Sequence, residues 1–184
     1  MYLDVLCEIL LAAACGWATW CSWRNRSSLS GTGFLIFGLA ALAGALQYSG
    51  VQQATEAHQY LTLWGARMGL VLIAIGTVIG NAGLLVAVGL CVVLLFVPGP
   101  VGLVANLLAL IAITYEGWSR RSWSLIVGSI LFFLAAVVVG AQGRWFDIPR
   151  VDIYHVGLAI AVLMWVPRGA AADSRVTTGR QAGT

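Results

Sequence analysis

Lysine is absent from this chain, and charge of either sign is scarce: ten arginines and seven acidic residues among 184, or 9% of the whole. Without a lysine amine there is no Schiff-base attachment for retinal, so a rhodopsin-like pigment is excluded. A soluble domain carries about a quarter charged residues and could not cover its surface with so few. Catalytic motifs are missing as well. There is no glycine-rich phosphate loop, no GxSxG, no HExxH and no haem-type pattern. The four cysteines (Cys7, Cys15, Cys21, Cys91) show neither CxxC pairing nor zinc-like spacing and read as small apolar residues within helices. The arginines lie in short loops and the tail rather than on one face, which argues against a nucleic-acid partner.

What fills the chain instead is apolar: 60% of residues are hydrophobic and mean hydropathy is +0.92. The apolar stretches run approximately 3–22, 33–49, 58–79, 82–97, 100–116, 123–141 and 152–167. Each approaches the ~20 residues needed to cross a bilayer core. Polar separators divide them, among them Arg24 to Ser28, the Asn81 region and the tight reversal Pro98-Gly99-Pro100. The first stretch carries Asp4 and Glu8 where a signal peptide needs a positive n-region, so it reads as a retained helix. Residues 1–167 read as one transmembrane domain, and 168–184 as a short disordered cytoplasmic tail.

Charge parity sets the number of crossings. Arginine marks cytoplasmic loops, and Arg24/Arg26, Arg120/Arg121 and the tail (Arg168, Arg175, Arg180) share one side only if residues 58–116 hold three helices rather than two. The expected fold is an all-α membrane protein. It is a seven-transmembrane-helix bundle with the N-terminus outside and the C-terminus cytoplasmic, multi-pass in the bacterial inner membrane.

That topology places both histidines at the outer face. His58 opens the third helix and His155 lies one turn into the seventh, with Asp152 three residues before it and therefore on the same side of that helix. Tyr48 and Ser49 close the second helix at the same depth. Two imidazoles and a carboxylate are able to hold zinc with a position left for water; solvated interfacial residues are the plainer reading. Gly65, Gly69, Gly76 and Gly80 form a stripe along the third helix, with His58 on it. Such a face admits close helix approach and is the expected contact for a membrane protein partner. Arg67, roughly opposite the stripe, needs a partner at bilayer depth, and Glu8 is the candidate. Trp64 is expected to pack within the bundle, while the tryptophans near segment ends form the ordinary aromatic belt.

The seven-helix plan, with His58 at the start of helix three and Asp152-Ile153-Tyr154-His155 opening helix seven, resembles the CREST superfamily, which contains alkaline ceramidases and the progestin and adipoQ receptors. The segment from Ala40 to Ser49, followed by His58, is similar to small bacterial membrane proteins of the same plan. The resemblance implies a zinc-dependent hydrolase acting on lipid amides or esters. Ser49, His58 and His155 match the family's helix-two serine, its helix-three histidine and its first helix-seven histidine. The family's second helix-seven histidine has no counterpart, since Ala159 stands there, and Asp152 would have to substitute.

Three functions follow as expectations. The first is a membrane-embedded hydrolase with His58, His155 and Asp152 on zinc and Ser49 orienting the water or stabilising the oxyanion, with membrane lipid as substrate. The alternative is a non-enzymatic bundle packed in a larger membrane complex. A transporter built on Arg67 and Glu8 is a third.

Overall fold

The structure is a computed structural model describing residues 2–140, 142–145 and 147–166. The expected tail, 168–184, lies outside the described residues. Seven helices follow one another among these residues: α1 (Tyr2–Arg24), α2 (Ser28–Tyr48), α3 (Ala54–Val78), α4 (Gly80–Phe96), α5 (Gly99–Ser119), α6 (Trp123–Val139) and α7 (Arg150–Trp165). The link from α6 to α7 contains a small antiparallel ribbon in which Arg144 pairs with Pro149 and Trp145 with Ile148. The helices sit where the apolar stretches predict. The breaks are local chemistry: Arg26 and Arg121 adopt positive φ after α1 and α5, and Pro98 starts α5 from an extended backbone.

Four helices (α1, α2, α3 and α5) are long and apolar enough to cross a membrane, and α4 and α6 are shorter apolar helices. The exterior agrees with this. Leu85, Phe96, Leu103 and Trp118 are each more than 70% exposed, whereas Glu8, Thr19, Ser22, Ser30, Ser129 and Asp152 are buried. A soluble protein reverses that distribution, because an apolar surface this extensive is costly in water and harmless in lipid. The chain is a membrane-embedded all-α protein.

α1 packs between α2 and α7; α2 continues onto α3, α3 onto α5, α5 onto α6, and α6 onto α7, which closes a ring of six. α4 stands outside the ring against α3, with Ala87 and Cys91 meeting Leu29 and Leu72. The α2–α3 contact explains the glycine stripe. A methyl at Gly65 or Gly69 would run into the Phe37 ring, and one at Gly76 into Ser30, both on α2; Gly80 has φ +68° and serves the turn into α4. Three of the four stripe glycines therefore serve a contact within the chain.

Two further expectations change. Trp64 is 47% exposed on the outer side of α3 rather than packed in the bundle. Arg67 does not meet Glu8. Its Nη1 donates to the carbonyl of Leu95 at 2.6 Å and lies 3.5 Å from that of Leu94. α4 ends level with the middle of α3, and the arginine there satisfies backbone oxygens that the helix end leaves open.

Candidate functional site

Cavities occupy both ends of the ring, and they share no lining residue. The one beside the histidines encloses about 750 Å³. Its walls are largely apolar, with Leu103, Leu107 and Leu110 from α5 and Phe132 and Phe133 from α6. Its polar groups are few: Glu8, Tyr48, His58, Asn106, Tyr154 and His155 stand out. Such proportions suit an amphiphile with one polar end.

Two backbone irregularities border this space. α3 is a π-helix over Gly65–Gly69 and α6 over Leu134–Val139; Gly65 and Ala66 from the first and Ala136 and Val137 from the second line the cavity. A π-turn shifts the hydrogen-bond register and frees carbonyls, and it recurs at functional sites. Asn106 Nδ2 donates to one such carbonyl, Ala66 O, at 2.6 Å. At the far side Phe37 lies against Phe132, and Phe132 stacks on Trp165 at 5.3 Å. Trp165 lines the opposite cavity, so these rings separate the two spaces.

Three ionisable side chains converge at the polar end. Glu8, from α1, is 1% exposed and its Oε1 accepts no hydrogen bond among the described residues. His155 Nδ1, from α7, lies 3.6 Å from that oxygen, too long for a hydrogen bond but within ion-pair reach once the imidazole is protonated. His58, from α3, sets Nδ1 3.0 Å from the carbonyl of Ala40 on α2. A carbonyl only accepts, so Nδ1 carries the proton and donates, and Nε2 is left with a free lone pair. Gly44 makes the meeting possible: a methyl there would overlap the Glu8 carboxylate and press on His58 Cε1.

The sequence expectations divide accordingly. His58 and His155 do line one cavity although 97 positions separate them in the chain. Asp152 does not line it. It is 2% exposed, its oxygens accept no hydrogen bond among the described residues, and it lies beside Asp4. Ser49 also lies outside the lining; it is exposed, and its hydroxyl donates to Leu46 O at 2.8 Å. The carboxylate that joins the histidines is Glu8, which sequence reasoning had assigned to Arg67. The available signal was its position, two turns into the first helix, as the one acidic residue well inside an apolar stretch.

A hydrolytic zinc site takes three protein ligands with donor atoms ~2.0–2.2 Å from the metal. The histidines suit such a role, with Nδ1 held at or near an oxygen and Nε2 free. A third ligand is not in place: among the described residues no group of three or more His, Cys, Asp or Glu side chains is close enough to hold a metal ion. As placed, the described residues do not make a three-ligand zinc site.

No family model, curated protein or solved structure matches the chain.

Proposed function

We propose that the chain is a seven-span protein of the bacterial inner membrane, with its N-terminus outside, that binds a lipid-like amphiphile in the histidine-side cavity and hydrolyses an amide or ester bond in it. The observation that carries this reading is the convergence of Glu8, His58 and His155 at the polar end of an otherwise apolar cavity. The sidedness is supported by Arg26, Arg120 and Arg121, which line the opposite cavity together with Val166 at the end of α7.

In this reading the apolar walls take the acyl chain and the scissile carbonyl sits beside His155. His155 Nε2 accepts a proton from water as the water oxygen attacks the carbonyl carbon. Glu8, 3.6 Å from Nδ1, stabilises the imidazolium that forms. The C–N or C–O bond then breaks, and the imidazolium returns the proton to the departing nitrogen or oxygen. His58 Nε2, its ring oriented by Ala40 O, accepts a hydrogen bond from the ligand's polar end.

The test uses the full chain in lipid nanodiscs with fluorescent long-chain amide and ester substrates, alongside wild type, Glu8→Gln, His58→Ala and His155→Ala. Turnover in wild type that collapses in Glu8→Gln and His155→Ala is the expected result. Metal content is measured on the same samples. Near-stoichiometric zinc that disappears in both histidine variants would replace the metal-free mechanism with the zinc one. No turnover of either substrate class, with or without added zinc, would sink the hydrolase reading and leave the non-enzymatic bundle.

A further inference from the structure

The cavity at the other end of the ring is larger, about 860 Å³, and differs in chemistry. Arg26, Arg120 and Arg121 line it, with a series of hydroxyl side chains, and among the described residues no aspartate or glutamate does. Arg120 is paired with Glu116, four residues earlier on α5, and also reaches Thr77 O at 3.3 Å. Arg26 and Arg121 have no carboxylate partner among the described residues, so the cavity holds a surplus of about two positive charges.

The two loops that supply them are built alike. After α1, the Ser27 N–H donates to Ser22 O at 2.9 Å and Arg26 takes φ 58°. After α5, the Ser122 N–H donates to Gly117 O at 2.7 Å and Arg121 takes φ 53°. Each arginine thus occupies the left-handed residue that ends one helix, directly before the serine that precedes the next. Helix α6 then begins with no side-chain cap and no acidic residue in its first turn, leaving its positive end open to the cavity.

A further observation is independent of these charges. Ser22 is 0% exposed, lines the cavity, and its hydroxyl has no hydrogen-bond partner among the described residues. A buried hydroxyl without a partner is costly, because its lost hydration is not replaced. The serines nearby are already engaged, Ser27 with Gly76 O and Ser30 with Ile73 O. Ser22 has a proton to donate and no acceptor for it among the described residues.

We propose that this cavity is a phosphate-binding site, held by the Arg26 and Arg121 guanidiniums, the Ser22 hydroxyl and the N-terminal end of α6. A phosphomonoester dianion matches the charge surplus, and its oxygens match donors presented from several directions. The phosphate is supplied either by a lipid headgroup at the membrane surface or by a free phosphate compound.

The experiment compares two probes on the full chain in phosphatidylcholine nanodiscs: phosphatidic acid added to the bilayer, and inorganic phosphate added to the buffer. The readout is the shift in thermal midpoint with titration. Wild type is expected to be stabilised saturably by at least one probe. Stabilisation by the lipid alone identifies a headgroup site, and stabilisation by inorganic phosphate identifies a soluble ligand. The Arg26→Asn/Arg121→Asn double variant is expected to weaken binding tenfold or more, and Ser22→Ala several-fold. Asparagine tolerates positive φ better than most residues, so these loops keep their shape. Should the double variant not fold, Arg121→Asn alone decides, with a threefold loss as the threshold. Binding that is unchanged in the arginine variants, or no saturable stabilisation of wild type by either probe, overturns the proposal.

Discussion

The two ends of the bundle handle polar groups in opposite ways. At the arginine end, charge sits close to water and the loops hold it in place. Asn81 donates to Arg26 O at 2.6 Å and accepts from Ser28 N–H at 2.9 Å, tying the start of α4 to the turn between α1 and α2. At the histidine end the ionisable groups are enclosed: Glu8 is 1% exposed, and its Oε1 lacks a hydrogen bond among the described residues. A buried carboxylate without full compensation is expensive. An arrangement that keeps one between two histidines, and spares Gly44 to admit it, resembles the unsatisfied polar sites at which chemistry occurs. In the proposals made above, the arginine end serves recognition and the histidine end reaction.

Separating the ends by mutation gives the largest expected effect. His155→Ala and Glu8→Gln should each lower hydrolysis of the long-chain substrate by about 10²–10⁴-fold, the range for loss of general acid–base catalysis. Arg26→Asn/Arg121→Asn should leave the rate within about twofold, because Phe37, Phe132 and Trp165 stand between the cavities. Equal losses at both ends would show that the cavities act as one site.

The next effect concerns packing at the reaction end. Gly44→Val should destabilise the protein by about 1–3 kcal/mol, as over-packing does, measured by thermal unfolding in detergent. The added methyls meet the Glu8 carboxylate first, so Glu8→Ala should recover most of the loss. Simple additivity of the two substitutions would show that Glu8 does not lie over Gly44.

Arg67→Ala sharpens the contrast from outside both cavities. It leaves the Leu94 and Leu95 carbonyls without their cation, at about 1–3 kcal/mol for unsatisfied backbone oxygens. α4 contacts the ring chiefly through α3, so the loss should appear as loosening of α4 alone. In a Cys21→Ser background, half-buried Cys91 should react faster with a membrane-permeant maleimide, while hydrolysis persists. Protection of Cys91 unchanged from wild type would mean that Arg67 does not anchor α4.

These contrasts also show what the sequence made legible. Hydropathy and the arginine spacing located all seven helices, including the α3–α4–α5 region where two long helices were the alternative, because lipid and loop charge act on every residue of a segment. His58 and His155 could be placed at one level because depth along a helix is linear in residue number. The partner of each buried charge was not legible in this way. Rotation about the helix axis decides whether Glu8 faces Arg67 or His155, and that rotation is set by Gly33, Gly65 and Gly69 at the α2–α3 contact together with the packing of α1 against α2 and α7. The π-turns were equally hidden. Nothing in Gly65–Gly69 or Leu134–Val139 distinguishes a π-turn from ordinary helix at the level of composition, yet both turns line the cavity.

The smallest expected effect tests the same point most cleanly. By position alone Ser49 belongs with the histidines, and the resemblance gave it a role on the reacting carbonyl. In the structure its hydroxyl donates to Leu46 O at the exposed end of α2, away from the cavity lining. A solvent-side hydroxyl bonded to a carbonyl that water can also satisfy contributes little, so Ser49→Ala should change stability by no more than about 0.5 kcal/mol. It should leave both kcat and KM for the long-chain substrate unchanged. A fall in kcat with KM preserved would mean that the end of α2 turns inward when substrate binds, bringing Ser49 to the carbonyl. The site would then consist of four residues, with Glu8, His58 and His155 assembled beforehand and the serine recruited by the ligand.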